Sequence, residues 1–271
     1  MVVDDPPATN EEPSSPMHRR GCTTIWHDLE CGSYTADLPL WRELARTAGS
    51  GGNAQPLLDI GAGTGRVALD LARRGYKVTA FDLDAELLST LRARAEAASV
   101  ELETVCGDAR ELDLLCRDFA VCLVPMQTIQ LLGGADGRLA FLTRAREHLR
   151  EGGLLACAIV SQLDAFDCAT GDVGPSPETT RFDGTHYVSR ATRVHVGVRS
   201  VQIERERTIL SAEQAVAGTR VPVEHNLIEL DRVSAAQLRH EGHEVGLSSA
   251  GTRTIPATRD HVGSEVVLLR A

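Results

Sequence analysis

From residue 56 onward, short apolar runs alternate with stretches whose apolar residues recur every three or four positions. Residues 56–60, 77–81, 101–106, 119–124 and 154–160 read as strands, and 66–74, 84–97 and 135–149 read as helices. Gly75 and the Gly152-Gly153 pair supply stops, and Asp84 suits a helix N-cap. The strands at 121–124 and 154–160 are apolar without interruption, as expected for strands covered on both faces. Strand and helix alternating at this spacing predict a parallel sheet with right-handed crossovers. Upstream, 34–48 has a helical period with Leu38, Trp41, Leu44 and Ala45 on one face, broken by the glycine-rich stretch 49–53.

The pattern changes after Ser161. Residues 164–180 form a Gly-, Pro- and Asp-rich loop, and strands follow at 187–198, 201–210 and 221–230, the first two joined by a turn at 197–200. Successive strands with short connections predict an antiparallel layer. A helix at 234–241, capped by Ser234, precedes an extended segment at 252–255 and a last strand at 265–269. Residues 1–20 carry Pro6, Pro7, Pro13 and Pro16 among small polar and acidic residues, too little apolar surface to order a segment.

Composition narrows the reading. Aromatics are only 4% of the 271 residues, so the core is expected to be aliphatic. The net charge of -10 disfavours a dedicated nucleic-acid binder, which needs a basic footprint. The seven cysteines are odd in number and form no C-x-x-C; Cys122 and Cys157 sit inside strand runs as small core hydrophobes. Neither they nor the histidines have metal-ligand spacing, so no metal is expected. No apolar run approaches the ~20 residues of a membrane span. The polar, proline-rich opening is not a signal peptide, which leads to an expectation of a cytoplasmic protein.

The sharpest chemical signal is Asp59-Ile60-Gly61-Ala62-Gly63-Thr64-Gly65, between the first strand and the first helix of the alternation. Glycines there let the chain turn tightly and let a ligand touch the main chain at the carboxyl end of a sheet. A dinucleotide fingerprint would place its third glycine at position 66, which is Arg66. The Asp59 carboxylate would repel a pyrophosphate but attract a ligand carrying an ammonium and a sulfonium, as S-adenosylmethionine does.

Residues 57–65 resemble the first motif of the class I S-adenosylmethionine-dependent methyltransferases. Phe81-Asp82-Leu83-Asp84, Gly107-Asp108-Ala109, the strand-four segment 119–127 and Glu151-Gly152-Gly153-Leu154-Leu155 resemble their later motifs in order and spacing, over about residues 55–160. The resemblance implies an α/β fold with a doubly wound, seven-stranded, mostly parallel Rossmann-like sheet, its last strand antiparallel, and a small antiparallel lid insertion. It divides the chain into a disordered tail (1–20), an N-terminal helical lid segment (21–54), a cofactor-binding core (55–162), an acceptor-covering insertion (163–232) and a C-terminal part completing the core (233–271). The cofactor would lie against Asp59, Gly61, Ala62, Gly63 and Gly65. Asp82 would accept from the ribose hydroxyls, Leu83 would pack on adenine, Asp108 would accept from the adenine amine and Ala109 would offer its backbone. Pro125 would face the reacting methyl group and Tyr34 would close over the cofactor. Plainer roles compete: Asp82 as a helix cap, Asp108 as a turn residue, Tyr34 as helix packing.

The acceptor side is less legible. Methyl transfer is an in-line displacement, so positioning can suffice and no base need exist. Gln127, His27, His186 and His225 are the candidate catalytic residues, with Asp28 a further base candidate. The strand-four end lacks the Asn/Asp-Pro-Pro-Tyr/Phe of base-methylating relatives, which counts against a nucleic-acid acceptor. The antiparallel layer resembles, in topology, the insertion of small-molecule methyltransferases such as sugar-amine N-methyltransferases. Its arginines at 181, 190, 193, 199, 205 and 207 outnumber Asp183, Glu204 and Glu206, which suits either an anionic small-molecule acceptor or a solvated strand face. The function expected is methyl transfer to O or N of a small metabolite, with no nucleic-acid or membrane partner. A methyltransferase acting on protein or RNA, a nicotinamide-dependent oxidoreductase and a non-catalytic binding scaffold are the alternatives. Acceptor identity and oligomeric state are open.

Overall fold

The computed structural model describes residues 22–48, 55–211, 221–259 and 261–271. The tail expected over 1–20 and the break expected over 49–53 lie outside these residues.

Seven strands form the central sheet, in the order β11-β12-β5-β4-β1-β2-β3. β1 (Pro56–Ile60), β2 (Lys77–Asp82), β3 (Glu103–Cys106), β4 (Phe119–Val124) and β5 (Leu149–Ile159) pair in parallel. β12 (Ser264–Arg270) runs antiparallel to both β5 and β11 (Ser248–Ile255). The strand order reverses between β1 and β4, where open α/β sheets place their ligands. Alternation along the strands divides the core in two. Leu57, Val121 and Ala156 face one layer, packed with Trp41 and Leu44 of α2 (Leu38–Ala48), Leu71 of α3 (Ala68–Ala72) and Leu88 and Leu91 of α4 (Ala85–Ala97). Leu58, Cys122 and Leu155 face the other, against Phe141 and Leu142 of α5 (Gly134–His148) and Leu238 of α6 (Ala235–Glu244).

A second, five-stranded antiparallel sheet occupies the chain between β5 and α6. It consists of β6 (Phe166–Asp167), β7 (Glu178–Phe182), β8 (Thr185–Val196), β9 (Ser200–Leu210) and β10 (Val223–Asp231). The first helix, α1 (Cys22–His27), continues into one π-helical turn over Asp28–Gly32. Neither this element nor β6 and β7 shows in the hydrophobic pattern.

The expected caps form: Asp84 accepts from the Glu86 and Leu87 amides, and Ser234 from the Gln237 amide. Several boundaries move, among them the start of β3 to Glu103, of β8 to Thr185 and of β11 to Ser248. α2 starts at Leu38 rather than Tyr34, with Pro39 in its first turn where no amide donor is needed. The helix expected over 66–74 shortens to Ala68–Ala72 because the glycine turn runs on through Val67. β5 begins at Leu149, through the polar run Arg150-Glu151-Gly152-Gly153, which carries no apolar signal.

Candidate active site

The glycine turn is fastened to the next strand. The Gly61 and Ala62 amides both donate to the Phe81 carbonyl, at 2.8 and 3.1 Å. Gly61, Gly63 and Gly65 have φ of +70°, +54° and +95°, a region in which side chains are disfavoured. Each also admits a different neighbour. A Cβ at Gly61 would lie 2.5 Å from Thr128 Oγ1, at Gly63 2.4 Å from His27 Nε2, and at Gly65 2.2 Å from Leu91 Cδ1. One turn therefore seats the loop after β4, the N-terminal segment and α4.

A cavity of about 570 Å³ opens over the carboxyl ends of β1, β2 and β4. Asp59 borders it while only 1% exposed, and neither carboxylate oxygen has a hydrogen-bond partner of good geometry. Burial, opposed by Arg66 and reinforced by Asp82, pushes its carboxyl up to about 7. Asp82 is held differently. Its Oδ2 accepts from the Gly63 amide at 2.7 Å and its Oδ1 from the Asp84 amide at 2.8 Å. Each oxygen keeps a lone pair for a further donor. Leu83 and Leu131 are 72% and 56% exposed although both border the cavity. With Ala109 and Leu132 they form an apolar slot. Asp108 caps the turn Ala109–Glu111 through the Arg110 amide, and the Arg110 guanidinium grips both of its oxygens, holding its carboxyl below the usual range. Asp108 thus serves as a turn residue.

The rest of the wall comes from the N-terminal segment (His27, Glu30, Cys31) and from the second sheet (Ile203, Arg205, Ile228, Leu230). The segment is fastened at three points. Asp28 pairs with Arg94 and accepts from Thr64 Oγ1 at 2.7 Å, which commits it to structure rather than to base chemistry. Glu30 accepts two bonds from Arg207, at 2.8 and 2.7 Å, and one from Ser189 Oγ at 2.7 Å. Asp37, buried, takes both Nη groups of Arg66, at 2.5 and 2.7 Å, and the Trp41 indole N–H at 2.7 Å. Apart from Asp37–Trp41, four positions apart, none of these pairings is visible in the sequence, since their members lie 29 to 177 positions apart. Burial holds His27 below the ordinary imidazole range, against an upward pull from Asp28 and Asp82.

Of the residues expected at the site, Asp59, Gly61, Ala62, Asp82, Leu83, Asp108, Ala109, Pro125, Gln127 and His27 border this one cavity. Gly63 and Gly65 support it from behind through Asp82 and α4. Tyr34 does not border it. Its ring lies 4.8 Å from that of His261, in the wall of a neighbouring cavity, and its carbonyl accepts from Arg66. His186 and His225 are also displaced. The buried residues of β8 are Tyr187, Ser189, Ala191 and, beyond a register shift, Val194, and Ile228 and Leu230 of β10 face the cavity, so strand alternation turns both histidines to the outer side. Four of the six arginines of this sheet are met by carboxylates: Arg190 by Glu206, Arg193 by Glu204 and Asp167, Arg205 by Glu178, Arg207 by Glu30. Met126, bordering the cavity at the end of β4, has a φ of +54°, unusual for a side-chain-bearing residue. Among the described residues no group of three or more His, Cys, Asp or Glu is placed to hold a metal ion.

Residues 57–153 match the family model described as a methyltransferase domain. A putative methyltransferase of a Geobacillus species is 35% identical over 102 residues, 38% of this chain and 41% of that protein. A probable cobalt-precorrin-6B C(15)-methyltransferase (decarboxylating) of Methanothermobacter thermautotrophicus is 29% identical over 148 residues, 49% of this chain and 72% of that protein. The match to the first relative thus spans about two fifths of its length. Among solved structures, a sugar N-methyltransferase from a Streptoalloteichus species superposes with a TM-score of 0.68 at 15% identity, covering 100% of this chain and 99% of that one. An amino pentose methyltransferase from Micromonospora echinaspora, solved with S-adenosylmethionine bound, superposes with a TM-score of 0.63 at 17% identity, covering 97% of this chain and 100% of that one. Residues 57–153 are thus similar in sequence to a methyltransferase domain, and the superposed structures share the fold of the chain.

Proposed function

We propose that the protein transfers a methyl group from S-adenosylmethionine to O or N of a small metabolite. The carrying observation is Asp59: a fully buried carboxylate on the cavity wall, without a well-formed hydrogen bond, beside the glycine turn. A buried carboxylate left so is costly, and a cationic ligand removes the cost. A pyrophosphate would raise it. When bound, S-adenosylmethionine supplies a methyl carbon activated by positive sulfur. The chain's own groups complete the fit. Asp82, its carboxylate fixed by two backbone amides, accepts from vicinal hydroxyls. The slot of Leu83, Leu131 and Ala109 takes a flat aromatic base and gains cover by doing so.

The acceptor would enter between Pro125, Met126 and Gln127 and the apolar roof of Ile203, Ile228 and Leu230. The roof excludes water, and the Gln127 amide can orient an O or N nucleophile. Where the nucleophile must shed a proton, His27, its imidazole held below the ordinary range by burial, is a group on the wall able to take it. The size of the enclosed space and the net charge of -10 support a small-molecule acceptor over RNA. Likeness to sugar and amino pentose methyltransferases supports the same choice.

The test is an assay with methyl-labelled donor on a metabolite extract, with mass spectrometry of the product. Label in the low-molecular-weight fraction is expected. Label only in protein or RNA would replace the acceptor class. Failure of the purified protein to bind S-adenosylmethionine, with retention of a pyrophosphate coenzyme, would remove the cofactor assignment.

A further inference from the structure

Two buried carboxylates compete for one arginine, and only one of them is bonded to it. Asp37, immediately before α2, and Asp59, in β1, are each 1% exposed. Arg66 borders the site cavity together with Asp59. Its charge is felt there, since it is the main influence pulling the Asp59 carboxyl down against burial. Its donors nevertheless point elsewhere. Both Nη groups go to the Asp37 carboxylate, and one of them also donates to the Tyr34 carbonyl at 2.9 Å. The Trp41 indole N–H holds Asp37 in turn. A bidentate guanidinium–carboxylate pair is among the strongest of side-chain contacts. Asp59, by contrast, keeps both oxygens without a well-formed bond. The acidic groups that act on it, Asp82 and Asp37, carry the wrong sign to satisfy it. His27, Glu30, Cys31 and Asp108 complete the titratable groups of the wall with two further arginines, and both of these are paired: Arg110 with Asp108, and Arg205 with Glu178 and Glu30. Arg66 is therefore the wall's one cation placed to close on Asp59, among the described residues.

We infer that Asp37 is a positioning residue of the cofactor site: by holding Arg66, it keeps the Asp59 carboxylate open to a cationic ligand. The inference rests on the proposed reading of Asp59 and deepens it. A carboxylate closed by the protein's own arginine has no use for an ammonium or a sulfonium. A bare buried carboxylate beside an uncommitted arginine would pair with it, because leaving either charge alone is costly. A second carboxylate has to occupy the arginine, and Asp37 does so without itself bordering the cavity. The hold also ties the N-terminal segment to the ligand: whatever draws Asp37 away from Arg66 releases the competitor of the cation.

The test compares Asp37→Asn with the double variant D37N/R66M. Calorimetry with S-adenosylmethionine at about pH 8 reads the ligand side. Asp37→Asn should bind about tenfold more weakly or worse, the loss expected when about nine in ten sites are closed by Arg66. D37N/R66M removes the competitor and replaces a buried ion pair by uncharged groups, which folds commonly tolerate. It should recover most of the lost affinity. Melting temperature against pH reads the protein side with no ligand present. In the unmodified protein stability declines between about pH 4 and 7 through Asp59. In Asp37→Asn that decline should vanish, because an Asp59 paired with Arg66 stays ionised in the folded state. In D37N/R66M it should return and extend above pH 7, since Asp59 has lost the cation that opposes burial. If Asp37 only fastens the segment, the double variant binds no better than Asp37→Asn and neither moves the pH slope; that result overturns the inference. Where Asp37→Asn does not fold, the double variant decides: binding with the extended slope supports the hold, and a folded protein without affinity overturns it. An unmodified protein that ignores S-adenosylmethionine while the slopes behave as stated would keep the hold of Asp37 on Arg66 and dismiss the methyl-donor reading instead.

Discussion

Asp59 couples ligand binding to protons. An ordinary aspartate has a pKa of 3.8, and this one is raised to about 7, chiefly by burial. The folded protein therefore holds a proton there that the unfolded chain has released, across the window from about 4 to 7. Folding stability through this group is largest below that window and falls as pH rises through it. Asp59→Asn should flatten the decline, read as melting temperature against pH for the ligand-free protein. Cofactor binding runs the other way, because the cation needs the carboxylate. S-adenosylmethionine affinity should rise with pH up to about 7, by at most tenfold per unit for one proton, and calorimetry across pH 5–8 checks it. At Gly63 the same scale gives a steric prediction. Gly63→Ala drives a methyl into His27 at a positive φ, so cofactor affinity should fall about tenfold or more. His27→Ala added to it should restore part of the loss by vacating the space. Gly65→Ala meets Leu91 and Leu69 in the core instead; it should lower stability by about 1–3 kcal/mol in denaturant melts, the usual cost of overpacking.

At the scale of elements, the N-terminal segment is fastened by carboxylates that meet arginines. Arg207 and Ser189 hold Glu30, and Arg94 and Thr64 hold Asp28, below the ordinary carboxylate range in spite of burial. These attachments contribute stability at neutral pH and lose it only as pH falls through those depressed values. Glu30→Gln should raise hydrogen exchange across residues 22–34 while leaving β1, β4 and β5 unchanged, a difference readable by mass spectrometry. The sequence disclosed such elements unevenly. β1, β4 and most of β5 were legible because a sheet covered on both faces demands continuous apolar residues, and the glycine turn because only glycine permits three successive positive φ values at alternate positions. The exposed edge strand β7 and the polar start of β5 carry no such constraint. The site divided likewise. Residues tied to the strand ends, from Asp59 to Gln127, were in reach of motif spacing. Glu30, Asp37 and Arg207 act through contacts between distant segments, to which local patterning is blind, and His186 and His225 were misplaced because strand parity, not residue type, decides which face a side chain takes.

For the whole molecule, the two sheets are joined by a buried polar junction. Gln130 accepts from the Val160 amide at 2.7 Å and donates to the carbonyls of Val160 and Asp231. Beside it Arg138, 2% exposed, grips Glu241 with two bonds, at 2.8 and 2.7 Å, and reaches Asp231. Removing one member of a buried pair strands the other, so Arg138→Ala should cost about 3–5 kcal/mol by chemical denaturation. The same junction fixes β10 against the turn after β4, so the roof residues Ile228 and Leu230 keep their height over Gln127.

The reach of Glu30 to Arg207, across 177 positions, has a consequence for how the protein is made. Translation proceeds at about 5–20 residues per second, so Glu30 leaves the ribosome roughly ten to thirty-five seconds before its partner. Throughout that interval the front wall has only its Asp28 and Asp37 attachments, to Thr64, Arg94 and Arg66, and the newborn pocket stands open to the cell until β9 arrives.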